Sequence, residues 1–411
     1  MISVHTSPLD QPGVGDAGGM NVYMLELARR LADSGLEIEI FTRATSSDQP
    51  EVVEAYPGVR VHHIVAGPFE GLDKQDLPEQ LCDFAHGMLR TEAFCEPGRY
   101  DLVHSHYWLS GKVGAAVKGR LGVPLVHTMH TMAKVKNALL AEGDRPEPPV
   151  RVLGEEEVVS ASDRLIANTD EEARQLRELY RAPRDRVAVV HPGVDVEAFS
   201  PGDQRRARQR LCIDQDAIVL AFAGRVQPLK APDLLLHAAA RLVRRAPDIA
   251  DRLLVAVIGG RSGEGSSREQ LATLARDLGI ADRVRFVPPR PQRELAEWYR
   301  AATVVTVPSY NESFGLVALE AQACGTPVVA AATGGLPTAV AEGRSGVLLD
   351  GHDPQDWARV LDELLADPAR LSALRAGAVA HARRFGWTAT AARTLEVYGA
   401  AVARSPAIMS G

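Results

Sequence analysis

Two kinds of apolar segment alternate along this chain of 411 residues. Short runs rich in Val, Ile, Leu and Ala are typical of buried strands, and longer segments between them repeat their apolar positions with the period of a helix. Strands that alternate with helices predict parallel sheets covered by helices on both faces. The predicted strands lie at residues 36–42, 59–65, 101–104, 124–127, 164–167 and 187–190, and again at 218–223, 253–258, 284–287, 304–307, 327–330 and 346–349.

The repetition of this pattern indicates two α/β halves of similar size. The turn-rich segment 191–195 follows a predicted strand and contains Pro192 and Gly193, so we place the boundary there. The predicted organisation is an N-terminal domain at 1–193, a second domain at 194–385, and a segment at 386–411 whose helix crosses back towards the first domain. Ligands of open parallel sheets bind beyond the carboxyl ends of the strands, so two facing sheets would share one cleft.

Composition and charge exclude several classes of protein. The chain has 46 Lys and Arg residues against 53 Asp and Glu, a net charge of −7, which argues against a nucleic-acid partner. No apolar run approaches the ~20 residues of a membrane span, so no membrane insertion is expected. The four cysteines form no CxxC pair, and the first residues do not resemble a signal peptide. We expect a soluble, cytoplasmic protein.

The first glycine cluster lies at residues 13–19. Gly13, Gly15 and Gly18 match GxGxxG, which favours a dinucleotide-binding turn only where the glycines follow a strand directly. Here residues 5–12, with two prolines, intervene, so we prefer a loop that opens a helix near Asn21 and turns free N–H groups towards an anion. An ordinary glycine-rich surface turn remains an equal alternative at this point.

A second loop, after the predicted strand 218–223, carries Arg225 and Lys230. The forked guanidinium and the compact ammonium suit a diphosphate, although single cations on loops are usually only solvated. Their position at the carboxyl end of the first strand of the second domain favours the binding role.

A third loop carries Glu312, and Glu320 follows eight residues later in a predicted helix. Carboxylates in this position accept hydrogen bonds from the vicinal hydroxyls of a ribose or a sugar. The N–H groups of Gly315, Leu316 and Val317 open the helix and suit a phosphate. A paired acid and base, as in glycosidases, is the alternative, but it leaves the basic loop without a role.

These residues resemble the donor site of the retaining glycosyltransferases of family 4. The resemblance rests on Arg225 with Lys230, and on Glu312 with Glu320, which form an E-x7-E frame. The family has the GT-B fold, two facing Rossmann-like domains with an interdomain cleft. Four N-terminal segments resemble the members that act on inositol phosphate in mycothiol biosynthesis: HTSP at 5–8, GGMNVY at 18–23, HSHYWLSG at 104–111 and MAKVKN at 132–137.

The resemblance implies a retaining transfer of N-acetylglucosamine from UDP-N-acetylglucosamine to 1D-myo-inositol 3-phosphate, the first step of mycothiol biosynthesis. It implies catalytic roles for His130, Arg225, Lys230 and Glu312. The implied donor-binding residues are Gln11, Pro12, Gly19, Arg225, Lys230, Arg290, Glu312, Gly315, Leu316, Val317 and Glu320. The implied acceptor-binding residues are His5, Asp16, Ala17, Gly18, Gly19, Met20, Asn21, Lys74, Tyr107, Thr131 and Arg151.

By the same resemblance, catalysis requires no cofactor. A structural Mg²⁺ would be held by the backbone carbonyls of Tyr299, Arg300, Ala302 and Thr326. A homodimer is a separate expectation that the resemblance does not supply. Four alternatives stay open: a family 4 transferase with another phosphorylated or lipid acceptor, a UDP-N-acetylglucosamine epimerase of the same fold, a nicotinamide-dependent oxidoreductase, and a non-catalytic binder of sugar nucleotides.

Overall fold

The computed structural model describes residues 1–93, 96, 98–140, 145–260 and 268–404 of the chain, and their strands form two separate sheets. The strands of the first sheet are β1 (Ile2–Ser3), β2 (Ile38–Arg43), β3 (Val52–Tyr56), β4 (Val59–Ile64), β5 (Val103–His106), β6 (Leu125–Thr128), β7 (Arg164–Ala167) and β8 (Val187–Val189). They lie in the order β3-β4-β2-β1-β5-β6-β7-β8. Every pairing in this sheet is parallel except that between β3 and β4.

The edge strand β3 corrects the prediction of a purely parallel sheet. It pairs antiparallel with β4, and its residues are half-buried or exposed. The apolar pattern missed this strand because an edge strand of this kind buries too little to produce a continuous apolar run. The other predicted strands appear within about two residues of their expected bounds. The larger shift is in β5, where buried His104, Ser105 and His106 extend the strand past its apolar part.

The helices of the first half are α1 (Gly19–Asp33), α2 (Leu81–Ala93), α3 (Tyr107–Leu121), α4 (Ala133–Ala138), α5 (Pro149–Ala161) and α6 (Asp170–Leu179). Helices α3 and α5 pack closely because glycines face the contact. A Cβ on Gly111 would lie 2.4 Å from Val158 Cγ1, and one on Gly154 would lie 2.6 Å from Trp108 Cε3. This packing fixes the relative position of the site residues that α3 and α5 carry.

The second sheet has six parallel strands. They are β9 (Ile218–Ala223), β10 (Leu253–Ile258), β11 (Val284–Val287), β12 (Val304–Val307), β13 (Val328–Ala331) and β14 (Gly346–Leu349), in the order β11-β10-β9-β12-β13-β14. The helices that flank it are α7 (Gln204–Arg210), α8 (Pro232–Arg245), α9 (Pro247–Ala250), α10 (Arg268–Asp277), α11 (Gln292–Ala301), α12 (Leu316–Ala323), α13 (Leu336–Ala339), α14 (Pro354–Leu365) and α15 (Pro368–Ala382).

The chain crosses between the two halves twice, and the two crossings lie side by side. Val194 N donates to Phe385 O at 2.8 Å. A Cβ on Gly193 would lie 2.4 Å from Trp387 N, so only glycine allows the two segments to approach this closely. The last helix, α16 (Trp387–Val402), then packs on α1 of the first half, with the Trp387 ring edge-on to Tyr23. The domain boundaries at 193 and 385 stay predictions. No helix among the described residues has both the length and the apolarity to cross a membrane.

The carboxyl ends of the two sheets face each other. Gly13, in the loop after β1, accepts a hydrogen bond through its carbonyl from Gly260 N, after β10, at 3.2 Å. The Ser313 hydroxyl, after β12, donates to the carbonyl of His130, after β6. The loops that carry the candidate residues of both halves therefore line one cleft, as the strand pattern predicts.

Candidate functional site

The glycine-rich loop of the first half ends where α1 begins. Gly18 is the N-cap of that helix, and its N–H donates to Asn21 Oδ1 at 3.0 Å. The Asn21 amide in turn donates to Thr6 Oγ1 at 2.9 Å and to Ser7 O at 2.5 Å. Asn21 is 1 % exposed, so its side chain holds the loop from the protein interior through these hydrogen bonds. This places Asn21, which was predicted to bind the acceptor, in a supporting position.

The same loop spans the cleft and lies directly on the donor-side loops. A Cβ on Gly18 would lie 3.5 Å from Arg225 Nε, and one on Gly19 would lie 3.4 Å from Leu316 Cδ1. Gln11 Nε2 donates to Arg290 O at 3.2 Å, which joins the predicted rim to the loop after β11. The predicted residues Pro12, Ala17 and Met20 lie within or directly after this loop, and Ala17 is buried.

A cluster around the Tyr107 ring contains the predicted acceptor residues. Tyr107 has a φ of +71° at the start of α3, and its ring lies 4.7 Å from Lys74 Nζ and 5.0 Å from Arg151 Cζ. The His5 ring lies 4.4 Å from the same ring. Arg151 Nη2 donates to Thr131 Oγ1 at 2.8 Å. The structure thus brings together five residues that are far apart in the sequence, with two cations on one aromatic ring.

Arg151 is held by two carboxylates that the sequence reasoning did not single out. Its Nε donates to Glu155 Oε1 at 2.8 Å, and its Nη1 lies 2.9 Å from Glu147 Oε1. Burial opposes the charge of Arg151, but Tyr107 and these carboxylates outweigh it and hold the pKa above its ordinary value. The spacing of four residues between Arg151 and each carboxylate was the available signal in the sequence.

The basic loop after β9 brings Arg225 and Lys230 to the cleft. Lys230 Nζ lies 2.5 Å from Glu312 Oε2, and Arg225 Nη1 lies 3.9 Å from Asp16 Oδ1. The same Asp16 oxygen lies 3.8 Å from Lys74 Nζ. Burial lowers the pKa of Arg225 from its ordinary value, which reflects the cost of removing this cation from water. An anion bound beside Arg225 would offset that cost.

The two glutamates of the E-x7-E frame lie where the sequence places them, one on the loop after β12 and one in α12. Glu312 O accepts a hydrogen bond from Gly335 N at 2.8 Å, and a Cβ on Gly334 would lie 2.0 Å from that carbonyl oxygen. Gly315, with a φ of +104°, is the N-cap of α12, so Leu316 and Val317 open the helix as predicted. The structure therefore places one carboxylate and one helix N-terminus at the same cleft wall.

The Glu320 carboxyl is buried inside α12. Its Oε2 accepts a hydrogen bond from the Tyr299 hydroxyl at 3.0 Å. Burial raises the pKa of Glu320 to about 7, although the Tyr299 hydroxyl opposes the shift. A carboxyl with this pKa is about half protonated near neutral pH, and both forms can accept hydrogen bonds.

His130 connects the two halves through its backbone. It has a φ of +59°, an uncommon conformation for a residue other than glycine. Its carbonyl accepts the Ser313 hydroxyl from the second half, and Ser313 directly follows Glu312. The backbone of His130 therefore lies beside the loop that carries Glu312, and the catalytic role of His130 stays a prediction. Arg290 lies at the rim, where its Nη1 is 3.4 Å from Glu294 Oε2.

Two of the four carbonyls predicted to hold Mg²⁺, those of Tyr299 and Ala302, accept hydrogen bonds from protein donors. Tyr299 O accepts from Thr326 Oγ1 at 2.6 Å and from Ala302 N at 3.2 Å, and Ala302 O accepts from Gln204 Nε2 at 2.9 Å. Arg300 Nε donates to Ser200 O at 2.8 Å, which brings a cation close to this segment. Tyr299 O already accepts two hydrogen bonds, which use both of its lone pairs, so this carbonyl fits a cation poorly in the present arrangement. We assign no step to a metal, and the Mg²⁺ stays a prediction.

Comparison with known proteins gives consistent results in both halves. Residues 18–193 match the family model "Glycosyl transferase 4-like domain", and residues 203–383 match "Glycosyl transferases group 1". The D-inositol 3-phosphate glycosyltransferase of Thermobispora bispora is 65% identical over 98% of this chain and 94% of that protein. The protein of the same name from Streptosporangium roseum is 65% identical over 98% and 93%, respectively.

Solved structures show the same architecture. Sucrose-phosphate synthase from Thermosynechococcus elongatus has a TM-score of 0.89 at 30% identity, with 98% of both chains covered. Anabaena HepE in complex with UDP-glucose has a TM-score of 0.75 at 20% identity, over 97% of this chain and 99% of that one. These likenesses confirm the predicted GT-B fold.

We expect Glu320→Gln to flatten the pH dependence of stability. The wild-type carboxyl binds its proton more tightly in the folded state, because its pKa there is about 7 against 4.5 when unfolded. Stability gained from that proton is lost as the pH rises from about 5 towards 8, whereas a glutamine has no proton to lose. Over this range, the unfolding free energy of the variant should therefore fall by about 2–3 kcal/mol less than that of the wild type.

Urea unfolding at pH 5 and pH 8 measures this difference. Glu363→Gln, on the exposed surface of α14, serves as the control and should keep the wild-type pH dependence. An equal change in unfolding free energy between pH 5 and pH 8 for wild type and Glu320→Gln would show that the Glu320 carboxyl does not titrate as described.

Proposed function

This chain belongs to the D-inositol 3-phosphate glycosyltransferase family, and we propose that it transfers N-acetylglucosamine from UDP-N-acetylglucosamine to 1D-myo-inositol 3-phosphate. The products are N-acetylglucosaminyl-inositol phosphate and UDP, and the anomeric configuration of the donor is retained. The reaction is the first step of mycothiol biosynthesis. Both substrates are small phosphate esters, so we place the reaction in the cytoplasm.

One observation carries this proposal: a single carboxylate oxygen lies between the cations of two basic clusters, each of which would suit a phosphate. Asp16 Oδ1 lies 3.8 Å from Lys74 Nζ and 3.9 Å from Arg225 Nη1. Lys74 belongs to the cluster around Tyr107, and Arg225 belongs to the basic loop after β9. A transferase that joins a sugar nucleotide to a phosphorylated acceptor needs two such clusters side by side, each selective for a phosphate.

The donor side of the cleft supplies groups for each part of UDP-N-acetylglucosamine. Arg225 and Lys230 would hold the diphosphate, with the N-terminus of α12 beside them. Glu320 would accept hydrogen bonds from the ribose hydroxyls, and Glu312 from the hydroxyls of the sugar. Glu312 Oε2 lies 2.5 Å from Lys230 Nζ and neutralises it. The diphosphate would pair with the Lys230 ammonium in place of Glu312. The Glu312 carboxylate would then be free to bind the sugar hydroxyls.

The acceptor side would bind the phosphate of inositol 3-phosphate between Lys74 and Arg151. Both cations lie over the Tyr107 ring, within 4.7 and 5.0 Å of its centre. The Thr131 hydroxyl, 2.8 Å from Arg151 Nη2, adds a further hydrogen-bonding group. Because Arg151 is fixed by Glu155 and Glu147, its guanidinium needs little reorganisation to meet the phosphate.

The chemistry follows from the charge that develops on the leaving group. As the bond between the anomeric carbon and UDP breaks, negative charge grows on the β-phosphate, and Arg225 and Lys230 stabilise it. An oxygen of that phosphate can take the proton of the attacking inositol hydroxyl on the same face of the sugar. Attack on the face from which UDP departs retains the configuration, and this route requires no separate base.

An epimerase acting on UDP-N-acetylglucosamine would need the donor side alone. The cluster of Lys74, Tyr107 and Arg151 would then have no ligand, although its two cations are held on one ring beside the donor loop. This cluster favours the transferase over the epimerase.

The direct test is release of UDP from UDP-N-acetylglucosamine with and without inositol 3-phosphate. We expect release only with the phosphorylated acceptor, and free inositol should support little of it because it lacks the phosphate that Lys74 and Arg151 would bind. Release that is independent of the acceptor would contradict the proposed transfer and indicate hydrolysis or epimerisation.

We expect Lys74→Met to raise the KM for inositol 3-phosphate by roughly 10-fold to 100-fold, the effect of losing a hydrogen bond to a charged group. The KM for UDP-N-acetylglucosamine should change little. Lys112→Met is a matched control, since the Lys112 side chain is 38% exposed against 39% for Lys74 and also pairs with a carboxylate. Equal acceptor KM values in the two variants would exclude Lys74 from the acceptor site.

A further inference from the structure

His106, the last residue of β5, lies directly behind His130 and has no part in the function proposed above. His106 Nδ1 and His130 Nε2 lie 2.9 Å apart, within hydrogen-bond distance. The two rings are 5.2 Å apart between centres. His130 precedes the chain segment that faces the donor loops. A contact that fixes the orientation of the His130 ring therefore also fixes which hydrogen-bonding group the ring presents to the cleft.

Both rings are enclosed by other aromatic side chains. The His104 ring lies 4.1 Å from that of His106, and the Tyr23 ring meets that of His130 edge-on at 5.0 Å. Tyr398, from α16, closes the far side with its hydroxyl 2.7 Å from His104 Nδ1. Burial lowers the pKa of His130 to about 3 and that of His106 well below its ordinary value. Each ring is therefore neutral and carries one proton.

Two arrangements of these protons are compatible with the short contact. In one, His106 Nδ1–H donates to His130 Nε2, and the proton of His130 must then be on Nδ1. In the other, His130 Nε2–H donates to His106 Nδ1, and the proton of His106 must be on Nε2. His106 Nε2 is buried without a hydrogen-bond partner among the described residues. The second arrangement would leave a buried N–H without an acceptor, which is rarer in proteins than an under-used acceptor. The structure therefore favours the first.

The remaining nitrogen of His130 is left for a ligand. Nδ1 makes no hydrogen bond to the described residues, and it is not among the fully enclosed polar atoms without a partner. In the first arrangement this nitrogen carries the proton. It can then donate a hydrogen bond to an oxygen in the cleft.

We propose that His106 is a positioning residue that fixes the tautomer of His130, so that His130 presents Nδ1–H as a donor to a hydroxyl oxygen of the transferred sugar. The assignment of the sugar rests on the proposed function, whereas the assignment of the tautomer rests only on the contact between the two histidines. In this role His130 is a hydrogen-bond donor to the substrate and takes no proton from it.

Nitrogen NMR of protein labelled with ¹⁵N-histidine tests the tautomer directly, because protonated and bare ring nitrogens differ widely in chemical shift. The His130 signals are identified as those lost in His130→Gln. We expect His130 to be protonated on Nδ1 in the wild type and to gain the Nε2-protonated form in His106→Leu. Wild-type His130 protonated on Nε2 would overturn the proposal, whether or not the protein is a transferase.

Kinetics with UDP-N-acetylglucosamine and inositol 3-phosphate test the consequence. By analogy with partners that orient metal-binding histidines, His106→Leu should lower kcat ~10-fold to 100-fold, with a smaller change in donor KM. His106→Asn, whose side-chain amide can take the place of Nδ1–H, should restore most of kcat.

Ser105→Ala is the matched control. It removes a buried hydroxyl of the same strand, 2.8 Å from His127 Nδ1, and should keep the wild-type kcat. A His106→Leu protein whose kcat equals that of the Ser105→Ala protein would contradict the positioning role. If the wild type transfers no sugar at all, the proposed function fails and the NMR result still decides the tautomer.

Discussion

The site depends on holding two cations, Lys74 of the first half and Arg225 of the second, close together. Lys74 Nζ and Arg225 Nη1 each lie within 4 Å of Asp16 Oδ1, so they are within about 8 Å of each other. At an effective dielectric constant near 20, two unit charges at that distance repel by roughly 2 kcal/mol. Asp16 offsets this repulsion, as Glu312 neutralises Lys230 and Glu155 with Glu147 neutralises Arg151. Each cation thus has a carboxylate partner, and the acceptor and donor clusters can share one cleft.

The fold satisfies this constraint by placing loops, and not sheets, in contact. The glycine-rich loop carries Asp16, and at Gly18 and Gly19 it lies against Arg225 and Leu316 of the opposite half. Asn21 holds that loop from behind through Gly18 and Thr6. A second bridge, from Ser313 to the His130 carbonyl, joins the acceptor half to the loop that carries Glu312. The reacting groups of both substrates would meet between these two bridges.

Local patterns in the sequence predicted the sheets and the donor loops well, because strand periodicity and the position of a loop after a strand are local properties. Glu312, Gly315 and Glu320 lie where their spacing placed them. The edge strand β3 was missed, since its half-exposed residues give no apolar run. The contacts of Asn21 with Thr6 and of His106 with His130 were not predictable, because each pair is adjacent only in the folded chain. For the same reason, the residues of the acceptor cluster could be predicted only from the family resemblance.

The central claim is that the cleft brings a UDP-sugar and an inositol phosphate together and joins them on the face from which UDP departs. The most direct measurement is the anomeric configuration of the product formed from UDP-N-acetylglucosamine and inositol 3-phosphate, read from the coupling of the anomeric proton by NMR. We predict a disaccharide-like product with the α configuration of the donor, formed in equal amount to UDP. A β-configured product, or free N-acetylglucosamine in place of the conjugate, would contradict this mechanism.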